Sequence, residues 1–136
     1  MTEQSIEKVE SWDTDAGERS MQDGHNSSWN ALIHHVSEKD YFGKSVLDFG
    51  CNRGGFLRLL QEKKGFDSGL GVDIATKSLE IARNNNPYHN LFYKHVEALD
   101  QNNESFDFVF SHEVIYLLSD LESHAKQIHS LLKDGG

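Results

Sequence analysis

The sequence predicts an α/β protein with a doubly wound parallel sheet, because short apolar segments alternate with segments of helical periodicity. Two further observations favour this class. A glycine-containing segment, residues 50–55, joins the first apolar segment to a helical one. An acid, Asp48 or Asp73, lies at the end of each of the first two apolar segments. In an open parallel sheet these ends meet at one edge, which is where such sheets bind ligands.

Each element has its own pattern. Asn26-Ser27-Ser28 offers N-cap oxygens to a first helix, whose apolar residues follow the 3.6-residue period. Residues 26–136 are expected to form one domain, and residues 1–25 are expected to form a polar segment that is a possible lid. Trp12 in that segment and Trp29 in the first helix are each either a lid residue or a core residue. The predicted strands are 45–49, 68–73, 91–96 and 106–111, and the later helices are 55–64, 76–84 and 120–133.

The glycine-containing segment is the most informative part of the chain. Glycine permits left-handed torsions in a sharp strand-to-helix turn and lets a ligand approach the backbone closely. Taken alone, the run is equally consistent with a glycine loop that binds nothing. Asp73 favours the binding interpretation, because it ends a second strand about 20 residues later, at the spacing of an acid that binds a ribose.

This ordered series resembles the class I S-adenosylmethionine-dependent methyltransferases of the small-molecule type, over about residues 44–136. Asp48, Gly50 and Gly54 match the family's first motif, while Asn52 stands where the middle glycine usually lies, and asparagine also tolerates positive φ. The later matching segments are 71–75, 97–99, 105–107 and 131–136. The resemblance implies a Rossmann-like fold, the strand order 3-2-1-4 for the strands present, and S-adenosylmethionine as cofactor.

The resemblance also assigns roles to residues. It implies that Asp48 organises the loop, that Asp73 accepts hydrogen bonds from both ribose hydroxyls, and that His95 meets the adenine where the family often has aspartate. Each residue has an open alternative. The alternative for Asp48 is an acid that simply caps the loop, for Asp73 an acid at a helix N-terminus, and for His95 a solvated loop histidine. Cys51 is expected to pack as a small apolar residue. The predicted cofactor-binding residues are Asp48, Gly50, Cys51, Asn52, Gly54, Asp73, Ile74, His95, Val96, Glu97 and Ser111.

His112 and Tyr116 follow the fourth predicted strand, where the transferred methyl group should point. Either residue is a candidate for orienting or deprotonating the methyl acceptor, since histidine suits proton transfer near neutral pH. The alternative is that both only line the pocket. The eight histidines and the cysteine show no His-x-x-x-His or Cys-x-x-Cys spacing, which argues against a metal site.

Composition limits the expected partners and location. The formal net charge of −9 argues against non-specific binding of nucleic acid. One cysteine fits a reducing compartment. The start has no basic region followed by an apolar stretch, and no run approaches the ~18 apolar residues of a membrane span. We therefore expect a cytoplasmic protein with no membrane partner.

The last residues, 133–136, are typical of a turn into another strand, and family members have further strands there. We expect a fragment of a longer protein, whose fourth strand is an apolar edge that pairs with a second copy or aggregates. The predicted activity is methyl transfer to a small molecule by in-line displacement, with S-adenosylhomocysteine as product. The alternatives are a methyltransferase-like binding or regulatory module and a dinucleotide oxidoreductase, whose G-x-G-x-x-G loop the chain does not match.

Overall fold

The computed structural model describes residues 27–36, 40–111 and 120–136. The N-terminal segment with Trp12 lies outside the described residues, as do His112 and Tyr116. A first helix, α1, spans residues 27–35. It is followed by β1 (Ser45–Phe49), α2 (Gly55–Lys64), β2 (Ser68–Asp73), α3 (Thr76–Asn84), β3 (Leu91–His95), a 3₁₀ helix (Val96–Ala98), β4 (Phe108–Phe110) and α4 (Leu121–Leu131).

The described strands form one parallel sheet in the order β3-β2-β1-β4, which confirms the predicted fold class and order. The crossovers from β1 to β2 and from β2 to β3 run through α2 and α3, whereas the connection from β3 to β4 runs through the 3₁₀ helix and a loop. The register aligns Phe49 with Val72 and Asp73 with His95. The carboxyl ends of β1, β2 and β3 therefore lie side by side, and the loops after them share one edge of the sheet.

Apolar side chains pack on both faces of the sheet. One cluster contains Trp29, Phe56 and Phe110, and the other contains Leu47, Phe49 and Leu131. Trp29 is buried and meets the Phe56 ring edge-on with centroids 6.3 Å apart, so it is a core residue rather than a lid. Burial of one such side chain contributes about 1.5–3 kcal/mol to folding.

The predicted bounds of β1, α2, β2 and α3 are confirmed, whereas the later ones were too long. β4 begins at Phe108 because Phe106 forms an isolated parallel bridge with Leu132. The Phe106 amide donates to the Leu131 carbonyl at 2.7 Å, and the Lys133 amide donates to the Phe106 carbonyl at 2.8 Å. α4 therefore ends at Leu131. β3 ends at His95 because the backbone then tightens into the 3₁₀ helix.

The outer edge of β3 is covered by side chains of the segment before it. Alternate residues of a parallel strand direct their amide and carbonyl groups to the same side. The Asn90 carbonyl faces β2, where it accepts from Gly69, so the carbonyls of Leu91 and Tyr93 face away from the sheet. Asn86 Nδ2 donates to the Leu91 carbonyl at 2.9 Å, and Arg83 Nε donates to the Tyr93 carbonyl at 3.1 Å.

No helix in the described ranges is long and apolar enough to cross a membrane.

Candidate functional site

The loop between β1 and α2 turns through three left-handed residues. Gly50 and Gly54 have φ of 84° and 81°, and Asn52 has φ of 50°. The prediction that Asn52 sustains the turn in place of glycine is confirmed. Among the described residues, Asn52 is the one that adopts positive φ without being glycine.

Four amides of this loop donate hydrogen bonds within the protein. The amides of Gly50 and Cys51 both donate to the Val72 carbonyl, at 2.8 and 3.0 Å. The Gly54 amide donates to the Cys51 carbonyl at 2.9 Å. The Asn52 amide donates to Asp73 Oδ2 at 2.8 Å. The loop is thus tied to the end of β2, and these four donors hold its shape instead of forming a cradle for an anion.

Asp73 connects the loop to the start of α3. Its Oδ2 accepts from Asn52, and its Oδ1 accepts from the Ala75 amide at 2.9 Å. A carboxylate oxygen has two lone pairs, so each oxygen retains acceptor capacity for a ligand hydroxyl. The side chain is half-buried, and the two backbone bonds fix its orientation. These bonds give Asp73 the helix N-terminal role considered as the alternative, and that role is compatible with a bound diol.

Asp48 is the buried acid of the site, with 1% of its surface exposed. Burial raises the pKa of its carboxyl to about 8, and the negative charge of Asp73 adds to the rise. A cation bound near these two acids would favour the ionised form of Asp48.

Two glycines allow side chains to pack tightly beneath the loop. A Cβ at Gly71 would lie 2.8 Å from Cys51 Sγ, and a Cβ at Gly54 would lie 2.5 Å from the Tyr93 hydroxyl. Cys51 is buried in the core cluster, where burial and then the charges of Asp48 and Asp73 hold the pKa of its thiol well above the ordinary value. It therefore packs as a neutral apolar residue, as expected.

Arg58 of α2 fixes the last part of the loop, because its Nη1 donates to the Arg53 carbonyl at 2.6 Å. Arg53 itself is buried, with 4% of its surface exposed. Neither arginine was predicted from the sequence to contribute to the site. The spacing of four residues, which places Arg58 one helical turn after Gly54, could have indicated that Arg58 lies beside the loop.

The predicted adenine contacts lie at the carboxyl ends of β2 and β3. His95 is the N-cap of the 3₁₀ helix, and its Nδ1 accepts from the Glu97 amide at 3.2 Å. Val96 and Ile74 are half-buried, while Glu97 is exposed. Asp73 and His95 are register partners, so these residues form a continuous edge beside the predicted ribose contact.

Ser111 and His124 form a pair of which only Ser111 was predicted from the sequence as a site residue. Ser111 follows β4, and its Oγ lies 2.7 Å from His124 Nε2 on α4. The His124 ring meets Phe49 edge-on at 4.8 Å, and burial lowers the pKa of its imidazole. His124 was missed because the pairing joins two elements, and neither helical period nor chain spacing indicates it.

Within the described ranges, no three His, Cys, Asp or Glu side chains are placed to hold a metal ion.

Comparison with known proteins gives a consistent result. The profile of a methyltransferase domain family matches residues 21–136. The mitochondrial ubiquinone biosynthesis O-methyltransferase of Mus musculus is 31% identical over 113 residues, which are 76% of this chain and 29% of that protein. The tRNA U34 carboxymethyltransferase of Campylobacter hominis is 34% identical over 119 residues, 82% of this chain and 41% of that protein. The chain thus spans less than half the length of these relatives.

Solved structures agree on the fold. A chain of the complex between the Haloferax volcanii Trm112 methyltransferase activator and a methyltransferase has a TM-score of 0.76 and 26% identity, covering 92% of this chain and 55% of that one. An S-adenosylmethionine-dependent methyltransferase of Thiobacillus denitrificans, solved with S-adenosyl-L-homocysteine, has a TM-score of 0.67 and 18% identity. That match covers 81% of this chain and 45% of the other, and it bears on the fold alone.

Proposed function

Since this chain belongs to the methyltransferase domain family, we propose that it binds S-adenosylmethionine at the loops after β1, β2 and β3 and takes part in transferring its methyl group to a small-molecule acceptor. S-adenosylhomocysteine is the second product. The class I enzymes of the family share the Rossmann-like fold and this cofactor, and the parallel sheet of this chain has the corresponding strand order.

The observation that carries this proposal is the polarity of the site. Four loop amides donate within the protein, and two acids, Asp48 and Asp73, lie close enough for their charges to interact. A pyrophosphate is bound by free amides at a helix N-terminus, and two interacting acids beside the loop disfavour it. S-adenosylmethionine carries an ammonium and a sulfonium group and has no phosphate, so it fits these residues better than a dinucleotide does.

The residues of this chain supply binding and alignment. S-adenosylmethionine, when bound, provides a methyl carbon made electrophilic by its sulfonium sulfur. Asp73 is oriented by two backbone amides to accept from a vicinal diol. Asp73 provides a negative charge near the cationic end, and Asp48 adds a second one when the bound cation favours its ionised form. Holding an acceptor in line with a methyl group is the main catalytic requirement of such a displacement, and alignment alone lowers barriers by several kcal/mol.

A small-molecule acceptor is supported by the charge of the chain. The formal net charge of −9 repels the phosphates of RNA. The named relatives include an enzyme of ubiquinone biosynthesis and one that acts on tRNA, so both acceptor classes belong in the test. Methyl-labelled S-adenosylmethionine would be incubated with the protein and with either a small-metabolite extract or purified tRNA. Label in the extract is expected, and label in tRNA would overturn the acceptor class.

Calorimetric titration tests the binding itself. S-adenosylhomocysteine should bind, and Asp73→Ala should weaken it at least about tenfold, because bonds to a charged acceptor contribute about 1.5–3 kcal/mol each. Glu80→Gln, an exposed change on α3, is the matched control and should have no effect. Binding of NAD in preference to S-adenosylhomocysteine would refute the proposal.

A further inference from the structure

In the proposed cofactor site, His95 would lie next to the purine base. In the proposed function, the ribose is held by Asp73 at the end of β2. The neighbouring strand is β3, in which His95 is the register partner of Asp73. Adjacent strands lie about 4.7–4.9 Å apart, so the His95 backbone lies one strand away from the residue that would hold the ribose. This position rests on the proposed function, whereas the hydrogen-bonding state of His95 is a property of the chain itself.

The His95 ring already uses its acceptor nitrogen. Nδ1 accepts from the Glu97 amide at 3.2 Å and so caps the 3₁₀ helix. A ring nitrogen that accepts carries no proton, and in neutral imidazole the proton is then on Nε2. The side chain is 36% exposed, so a ligand can reach it.

Nε2 of His95 is a hydrogen-bond donor whether the ring is neutral or charged. A charged imidazole donates from both nitrogens, and Nδ1 would then turn its proton toward the Glu97 carboxylate, whose Oε2 lies 4.0 Å away. Nε2 is a donor in the capped neutral ring and in the charged ring alike. Aspartate, which the family often has here, offers only acceptors and so matches the amino group on carbon 6 of adenine.

We propose that His95 presents a hydrogen-bond donor to the purine of the cofactor, so that this site recognises a ring nitrogen and does not require the 6-amino group. A donor facing that amino group would find no partner, whereas a donor facing a ring nitrogen is satisfied. The specificity of the site is then for a purine nucleoside thioether or sulfonium rather than for adenine in particular.

Two isosteric substitutions separate donor from acceptor. Asparagine and aspartate are both strong N-caps, so either can accept from the Glu97 amide with its side-chain oxygen and preserve the 3₁₀ helix. His95→Asn then directs an NH₂ donor to the base, and His95→Asp directs a carboxylate acceptor. Thermal unfolding of both variants checks that the cap is retained.

The probes are S-adenosylhomocysteine and its desamino analogue, in which hydrogen replaces the amino group on purine carbon 6. Calorimetric titration should give affinities within about twofold of each other for the wild type and for His95→Asn. His95→Asp should prefer S-adenosylhomocysteine at least about fivefold, because it gains a charge-assisted bond to the amino group.

A wild-type protein that loses as much affinity for the desamino analogue as His95→Asp does would overturn the proposal. This comparison holds even if one variant fails to fold, since a wild-type preference of fivefold or more is sufficient. A wild type that binds neither compound would refute the proposed function, and this inference with it. Binding of both compounds with strong discrimination refutes the inference alone.

Discussion

At the scale of single residues, the site depends on two acids in different surroundings. Asp48 is fully buried, while Asp73 is half-buried and accepts hydrogen bonds from two backbone amides. The pKa of Asp48 is raised to about 8. The folded protein therefore binds a proton that the unfolded chain releases near pH 4. This contribution to stability is full below that pH and is lost as the pH rises toward 8.

Cofactor binding should release a proton from Asp48. The ammonium and sulfonium charges of S-adenosylmethionine favour the carboxylate, so its pKa falls when they bind. Titrations at pH 7 in buffers of different ionisation enthalpy should give a heat that depends on the buffer, with less than one proton released. Asp48→Asn is the control and should remove the dependence, which should also vanish well above pH 8. Buffer-independent heats for the wild type would contradict the assignment.

His124 should make stability depend on pH in the opposite direction. Burial lowers the pKa of its imidazole, so the unfolded chain takes up a proton before the folded one does. The free energy of unfolding should therefore fall as the pH drops below about 6.5. His124→Gln should have a flatter profile between pH 7 and 5 in urea titrations. Parallel profiles for the two proteins would show that His124 does not contribute.

At the scale of elements, the edge strand β3 is protected by local side chains. Arg83 and Asn86 donate to the outward carbonyls of Tyr93 and Leu91. Uncovered edge groups invite pairing with another chain. The double variant Arg83→Met with Asn86→Ala should therefore associate in a concentration-dependent way in sedimentation experiments. Glu80→Gln on the same helix should sediment as the wild type does, and a double variant that does the same would count against this role.

The elements that the sequence predicts correctly are those defined by local signals. β1, α2, β2 and α3 have clear periodicity and are bounded by glycine or by the Asn84–Pro87 run, and their bounds match. β4 was predicted too long because its start is set by a bridge between Phe106 and Leu132. The Ser111–His124 contact was missed for the same reason, since such pairings depend on packing between elements and leave no local pattern.

At the scale of the whole molecule, charge should influence which form of the cofactor is favoured. The chain has a formal net charge of −9, and S-adenosylmethionine has one positive charge more than S-adenosylhomocysteine. Raising the ionic strength from 0.01 to 1 M shortens the Debye length from about 30 to about 3 Å. The affinity for S-adenosylmethionine should therefore fall relative to that for the product. A ratio that is independent of salt would mean that only short-range contacts distinguish the two.

The buried thiol beneath the glycine loop has a further consequence, for chemical labelling. Cys51 is the single cysteine of the chain, and alkylating reagents require an accessible thiolate. Its modification must await an opening of the loop, so the labelling rate reports how often β1 and α2 separate locally. At a fixed concentration of iodoacetamide, bound S-adenosylhomocysteine should slow the labelling of Cys51. Cys51 can thus serve as a native probe of loop motion.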